Sequence, residues 1–353
     1  LVGSEMCIRD RLYKLTNYME HTPELEETDS YLHATDFARA WMLGIIPTEE
    51  VYREMMGRIS SPTQIKAITT VLNDNVRFSK EKERYADIKN VDFSLFRSLA
   101  QKIVDRILEI ELKRGDSETQ VTSLAEELSY IYGADTFIHI LQAFGKDTFI
   151  RDSYNWGSTK RGVLSSLLHA CHPLPTDTSE NLKKLAKQAE ISDERLVEAA
   201  MFAPQWIELT EKAIGWKGLT SAAYYFHAHT NETCDDKKKA IIARYTPIDV
   251  EDLREGAFDI DWFRDAFKTI GKRRFEVVYN AAKYISCSNS HTRARKFADA
   301  TNGAVKAADV KKEIVAKRNK DLLMSYGLIP LGRKPDKELL DRYQYLQKFL
   351  KES

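Results

Sequence analysis

The sequence predicts an all-α protein, and three observations carry that expectation. Apolar residues recur at helical spacing in almost every segment, and almost no segment alternates with a period of two. Single glycines and prolines fall between these segments as stops, at Gly115, Gly133, Gly145, Gly271, Gly303 and Gly327 among others. The periodic stretches number roughly fifteen, each about 10–20 residues with short connections, as in an all-helical chain. Successive helix pairs return about every 35–45 residues, the spacing of HEAT- or armadillo-type units. The expected architecture is therefore a multi-helix right-handed α-solenoid with degenerate repeats. A compact helical bundle is the alternative.

The chain is organised around residues 192–232. This stretch is dense in large aromatics (Trp206, Trp216, Tyr224, Tyr225, Phe226) and in small residues (Ala199, Ala200, Ala203, Ala222, Ala223) that let helices approach closely. It reads as two helices meeting at Gly215-Trp216-Lys217-Gly218, with Trp206 buried at its centre.

Taken in order, Leu1 to Arg11 resembles a translated adapter and is expected to stand outside the fold. A helix is expected over 30–44. Pro47 separates it from the next, with Thr48 as cap, and Ser61-Pro62 starts another. Residues 73–90 are polar and are expected as a linker or solvated helix.

The strongest helix is expected over 94–113. It has two apolar rows, Leu95-Leu99-Ile103-Ile107-Ile110 and Phe96-Val104-Leu108-Leu112, and a face that wide suits an inner helix. Helices over 117–132 and 134–144 follow, each closed by a glycine. Residues 152–158 (DSYNWGS) form the best internal boundary. Further helices are expected at 159–170, 179–190, 235–245, 250–256, 261–270, 273–286, 292–301, 308–326 and 335–350. The last of these stops without a cap, so the chain is expected to be a piece of a longer protein. The expected organisation is an adapter-like segment over 1–11, a helical region over 12–151 and a second over 152–353, the last one continuous superhelix.

Composition excludes several function classes. Lys and Arg total 53 and so do Asp and Glu, so net charge points to no partner. The four cysteines Cys7, Cys171, Cys234 and Cys287 have no CxxC spacing, which fits a reducing compartment without disulfides. No apolar run reaches the roughly 18 residues of a membrane span. The expectation is a cytoplasmic protein with no membrane partner.

The segments STKRGVLSSLLHACHP, RLVEAAMFAPQWIELTEKAIGW, SAAYYFHAHTNE, KRRFEVVYNAAKYIS and KRNKDLLMSYGLIPL resemble a family of large bacterial proteins of unknown function labelled molybdate-metabolism-regulator-like (MolR-like). The resemblance covers the C-terminal half. It implies no activity and no catalytic residues. The WGR module carried by some of those proteins is absent, since Trp156-Gly157 is followed by Ser158.

Two histidine clusters carry the only metal-capable spacing. His227, His229, Glu232 and Cys234 fall within eight positions. On a helix His227 and His229 project about 200° apart and cannot share an ion, whereas His229 and Glu232 can. His169, Cys171 and His172 form the second cluster, at a helix end before Pro173. Zinc sites use three or four convergent ligands, so no metal and no cofactor is expected, with His229 and Glu232 the weak candidates. The chain has no GxSxG, Walker A, GxGxxG or HExxH motif.

Charge is unevenly distributed. Residues 266–334 hold 16 Lys and Arg against 5 Asp and Glu, a net of +11. Lys272, Arg273 and Arg274 open one helix, Arg293, Arg295 and Lys296 lie on the next, and Lys311, Lys312 and Arg318 on a third. Basic stripes on neighbouring helices are a candidate polyanion surface. The leading expectation is a helical scaffold segment that binds a protein partner, with flanking domains in the full-length protein. The alternatives are nucleic-acid binding by the basic region and an enzyme with a site near His227–Cys234.

Overall fold

The computed structural model describes residues 14, 40–41, 43–50, 93–151, 159–230, 234–287 and 289–352. The expectations for 1–11, for the helix starting at Ser61-Pro62, for the linker at 73–90 and for the boundary at 152–158 lie outside the described residues, as does most of the helix at 30–44. The chain divides into two compact units: Leu1–Thr148 with Asn155–Leu174, and Phe149–Tyr154 with Pro175–Ser353.

In the first unit α1 spans Phe93–Glu111. Its inner residues Ala100, Ile103, Val104, Ile107 and Leu108 are buried, as two adjacent apolar rows require. The helix expected over 117–132 shortens to α2, Thr122–Glu126. The cause is a buried polar knot at its start. Glu111 accepts hydrogen bonds from Arg114 Nη1 at 2.5 Å, from the Thr119 hydroxyl at 2.6 Å and from the Thr122 hydroxyl at 3.0 Å. Arg114 Nε donates to the Ser117 carbonyl at 3.0 Å. These side-chain bonds hold residues 112–121 in a non-helical path, the competition Ser and Thr offer to a helix.

The chain then forms β1, Ile131–Tyr132, which pairs in parallel with β2, Cys171–His172, with Ile131 opposite Cys171 and Tyr132 opposite His172. Between the strands lie α3 (Ala134–Phe144) and α4 (Lys160–Ala170). α3 packs on α4, and α4 also on α2.

The second unit begins with α5 (Ser179–Gln188) and α6 (Asp193–Phe202). After a single 3-10 turn at Pro204–Trp206 come α7 (Ile207–Ile214) and α8 (Leu219–Ala228). The stretch expected as two helices is thus three and a turn, because Pro204 cannot continue α6. Every residue of α8 is buried, as for a helix apolar all round.

Around α8 stand α7, α9 (Asp236–Ile242), α10 (Val250–Glu255), α11 (Ile260–Ile270), α12 (Lys272–Ala281) and α13 (His291–Thr301). α6 packs on α12, far along the chain. In a solenoid each repeat touches only its neighbours. The all-α class is therefore observed, and helices gathered around one central helix are the packing of the alternative, a compact bundle.

Caps set the helix starts. The N–H of Arg195 donates to Ser192, that of Lys238 to Asp235, and that of Trp262 to Asp259. Gly218 (φ +89°) opens α8 against the end of α11. A Cβ there would stand 2.9 Å from Thr269 Cγ2 and 3.2 Å from the Ile270 nitrogen, so the close approach needs glycine.

The last helices are α14 (Ala307–Lys317), α15 (Lys320–Leu328) and α16 (Pro335–Glu352). The single helix expected over 308–326 is broken. Arg318 adopts the left-handed conformation (φ 44°), and Asn319 caps the new helix by accepting the Leu322 N–H at 3.0 Å. Ala300, Val310, Ile314, Leu322, Leu323, Tyr326 and Ile329 form a core against which Tyr345, Leu346 and Phe349 of α16 pack.

Candidate functional site

The histidines of α8 do not converge. His229 is wholly buried, ringed by Tyr225 at 4.6 Å, Phe258 at 5.2 Å, Phe297 at 6.0 Å and Trp262 at 6.2 Å. Its Nδ1 donates to the Tyr225 carbonyl at 2.8 Å, which leaves Nε2 as an acceptor with no partner. Burial pushes its pKa down to about 4, against the opposing pull of the Tyr225 and Ala257 backbone. His227 projects elsewhere, beside the Tyr224 ring at 5.7 Å. Burial holds it well below the usual range, with Lys238 and Arg151 adding to the effect. Glu232 lies outside the described residues, and Cys234 is half-buried.

His172 leans on Tyr130 and Tyr132 in the first unit, and Cys171 is buried there with its Sγ 3.9 Å from the Gly133 carbonyl. Among the described residues no group of three or more His, Cys, Asp or Glu is placed to hold a metal ion.

The nine basic candidates divide into two sets. Arg293 and Arg295 are spent on packing. Arg293 pairs with Asp321 at 3.2 Å and donates to the Arg254 carbonyl. Arg295 donates to the Tyr279 and Asn280 carbonyls, both at 2.9 Å, with its guanidinium 4.8 Å from the Tyr279 ring centre. Together they tie α13 to its neighbours.

Lys272, Arg273 and Arg274 are exposed in the first turn of α12, Arg274 lying over Trp216. Lys296 is half-buried on α13. Lys311 and Lys312 are exposed on α14, with Arg318 at its end. Lys311 sits 4.6 Å from the Tyr345 ring centre. Arg318 sits 5.4 Å from that of Phe349 and donates to the Glu352 carbonyl at 3.0 Å. Lys311 and Arg318 line a cavity of about 660 Å³ between α14 and α16, whose other walls include Tyr345, Lys348 and Phe349. A second cavity, of about 620 Å³, lies between α1 and α3.

The most unusual surface is on α16. Leu339, Leu340, Tyr343 and Leu350 are all exposed, and among the described residues only Leu174, Val315 and Leu331 are other large apolar side chains so exposed. Sequence reasoning missed this face, although a signal was present. Leu339, Leu340, Tyr343, Tyr345, Leu346, Phe349 and Leu350 cover too wide an arc for one buried side of an 18-residue helix. α16 meets the core with Tyr345, Leu346 and Phe349. It is fastened there by the buried Arg342, whose guanidinium donates to the Ile329 and Pro330 carbonyls and lies over Tyr326.

Comparison with known proteins returns one family. Its model, described as a family of unknown function (DUF5724), matches residues 4–353. No curated protein and no solved structure matches. The expected kinship with the MolR-like proteins is corrected by this result: the matching family is a different one, it covers nearly the whole chain rather than the C-terminal half, and no MolR-like family matches. Among the described residues no helix is long and apolar enough to cross a membrane.

Proposed function

We propose, for a chain that belongs to the family of unknown function DUF5724, that its second unit is a helical scaffold whose last helix binds a protein partner. One observation carries this reading. Four large apolar side chains stand exposed together on α16, a helix already anchored on its opposite arc by Arg342, Tyr345 and Phe349. Contiguous exposed apolar surface marks interaction sites, and Tyr is a residue type enriched where partners bind. Four cysteines without CxxC spacing support a reducing, cytoplasmic setting.

The test places a photo-crosslinking amino acid at Tyr343 of the full chain in producing cells. The expected result is a protein adduct, identified by mass spectrometry, that disappears in the Leu339→Asp, Leu350→Asp double variant while the melting temperature stays unchanged. An adduct that survives the double variant, or none beyond that seen with the crosslinker at exposed Lys102, would overturn the reading.

A second reading, nucleic-acid binding, is favoured by the first turn of α12. Lys272, Arg273 and Arg274 crowd the positive end of a helix dipole, where cations cost about 0.3–1 kcal/mol each, and a phosphate would relieve them. Arg273→Glu, Arg274→Glu and Lys312→Glu should weaken duplex binding for all sequences together, and binding should fall with salt. No binding at about 50 mM salt would remove this reading.

A further inference from the structure

Independently of the α16 partner reading, we propose that the cavity between α14 and α16 binds an aromatic acid, with the acid group held by Arg318 and Lys348. Its volume of about 660 Å³ falls within the range of small-ligand pockets, about 300–1,000 Å³. The α14 wall is a single helix face, since Lys311, Ile314, Val315 and Arg318 follow one another at steps of three, one and three. Lys311 and Arg318 mark its two ends, about 10 Å apart along the helix axis. That length suits a pair of fused rings carrying one acid group.

The walls decide the body of the ligand. Tyr326 and Tyr345 meet edge to face with ring centres 5.6 Å apart, and Phe349 stands one turn beyond Tyr345. Ile314 is wholly buried and Tyr326 nearly so, and they make the floor. Val315, in the same wall, is 69% exposed, more than any other large apolar side chain among the described residues. Rings laid against Val315 and Tyr345 would cover it, and rings pack on rings in the offset or edge-to-face arrangements they prefer.

Charge decides what that body carries. α14 and α16 run side by side in one direction here, because Lys311 lies over Tyr345 and Arg318 over Phe349, one turn further on. At the Lys311 end Asp341 lines the opposite wall, so the charges balance. At the far end Arg318 and Lys348 share the single carboxylate of Glu352, and the excess is positive. Glu352 takes Lys348 at 3.7 Å. Among the described residues Arg318 has no carboxylate partner, and its Nη2 donates to the Glu352 carbonyl at 3.0 Å. That bond and the Phe349 ring hold the guanidinium in place while leaving N–H groups for the oxygens of an acid.

The experiment titrates the full chain with anilinonaphthalenesulfonate and with its uncharged parent, phenylnaphthylamine, which offers the same rings without the acid. Fluorescence reports both. The sulfonate should bind at least tenfold more tightly than the parent. Arg318→Gln and Lys348→Gln should each weaken the sulfonate at least fivefold and leave the parent unchanged. Glu352→Gln, which frees Lys348, should tighten the sulfonate. Val315→Asp should abolish binding of both. Leu339→Asp with Leu350→Asp should change neither, because those residues lie about 170° around α16 from the cavity wall. Naphthoate should displace the sulfonate at least tenfold more effectively than decanoate, an acid with an acyl body. Thermal melts accompany every variant, and exposed Lys348 carries the charge test if Arg318→Gln unfolds.

Equal affinity for the sulfonate and its parent, or sulfonate binding indifferent to Arg318 and Lys348, would overturn the acid assignment. Equal competition by decanoate would overturn the aromatic one. Sulfonate binding that survives Val315→Asp but is lost with the leucine substitutions would place the ligand on the exposed face of α16 and remove the cavity as a site. Absence of saturable binding would have the same consequence.

Discussion

Acid should destabilise this protein through His229, and the size of the effect follows from where the ring sits. The imidazole is wholly buried among Tyr225, Phe258, Trp262 and Phe297, an apolar ring cluster that solvates a second proton's charge poorly. Its pKa is lowered to about 4 by burial, against the opposing pull of the Tyr225 and Ala257 backbone and, more weakly, of Asp259, with Arg293 adding to the lowering. In the unfolded chain a histidine titrates near 6.5. Between those values the unfolded state binds the proton and the folded state does not, so the contribution is present above pH 6.5 and is lost as pH falls toward 4. A shift of this size amounts to about 3 kcal/mol at 1.36 kcal/mol per unit.

The assay is urea denaturation of the wild type and of His229→Phe at pH 7.5 and at pH 4.5. Phenylalanine preserves an aromatic body in the ring cluster but gives up the bond to the Tyr225 carbonyl, so it should cost about 1 kcal/mol at pH 7.5. The variant should then lose less stability than the wild type on acidification, by about 2–3 kcal/mol. His227, also held neutral by burial, keeps its own acid dependence in both proteins and cancels in the comparison. Equal acid losses in the two proteins would refute the reasoning, because they would mean that His229 charges without cost.

Three further outcomes test the packing. Trp206 is fully buried, so Trp206→Ala should cost about 3–5 kcal/mol in denaturant unfolding; a near-neutral result would contradict its place in the core. Glu111→Gln should cost about 3–5 kcal/mol by removing the buried carboxylate that Arg114 Nη1 pairs with at 2.5 Å. Glu111→Leu with Arg114→Met should cost less than the single change, and an additive double-mutant cycle would show that the pair is uncoupled. Gly218→Ala should lower stability by about 1–3 kcal/mol in thermal melts, because a Cβ at φ +89° would also press on Thr269 and the Ile270 backbone.

Much of the fold was legible because its signals are local. The helix starts expected at 159, 235 and 261 and the stops expected at Gly145 and Gly271 fall within a few residues of where the structure has them. The central place of α8 was written in its lack of any polar face. What failed depended on distant partners. The break before α2 comes from a buried Glu111 that collects Arg114, Thr119 and Thr122, and helical periodicity continues across that knot in the sequence. The strand pair links residues forty apart, with only two residues on each side. The break at Arg318 needed a non-glycine residue in the left-handed region, against the usual preference. Arg293 and Arg295 counted as surface charge in the sequence, yet both are spent on backbone carbonyls of other segments.

The apolar face of α16 calls for a cause outside the fold of this unit. Tyr345, Leu346, Phe349 and Arg342 already hold the helix to its core. Polar residues at 339, 340, 343 and 350 would leave those contacts intact, since these positions point into solvent. Burying a large apolar side chain is worth about 1.5–3 kcal/mol, and an exposed one contributes almost none of it. Four such side chains on one helix therefore hold back several kcal/mol that only a covering surface can recover. An association spends much of that gain on lost freedom, which favours a modest, reversible contact.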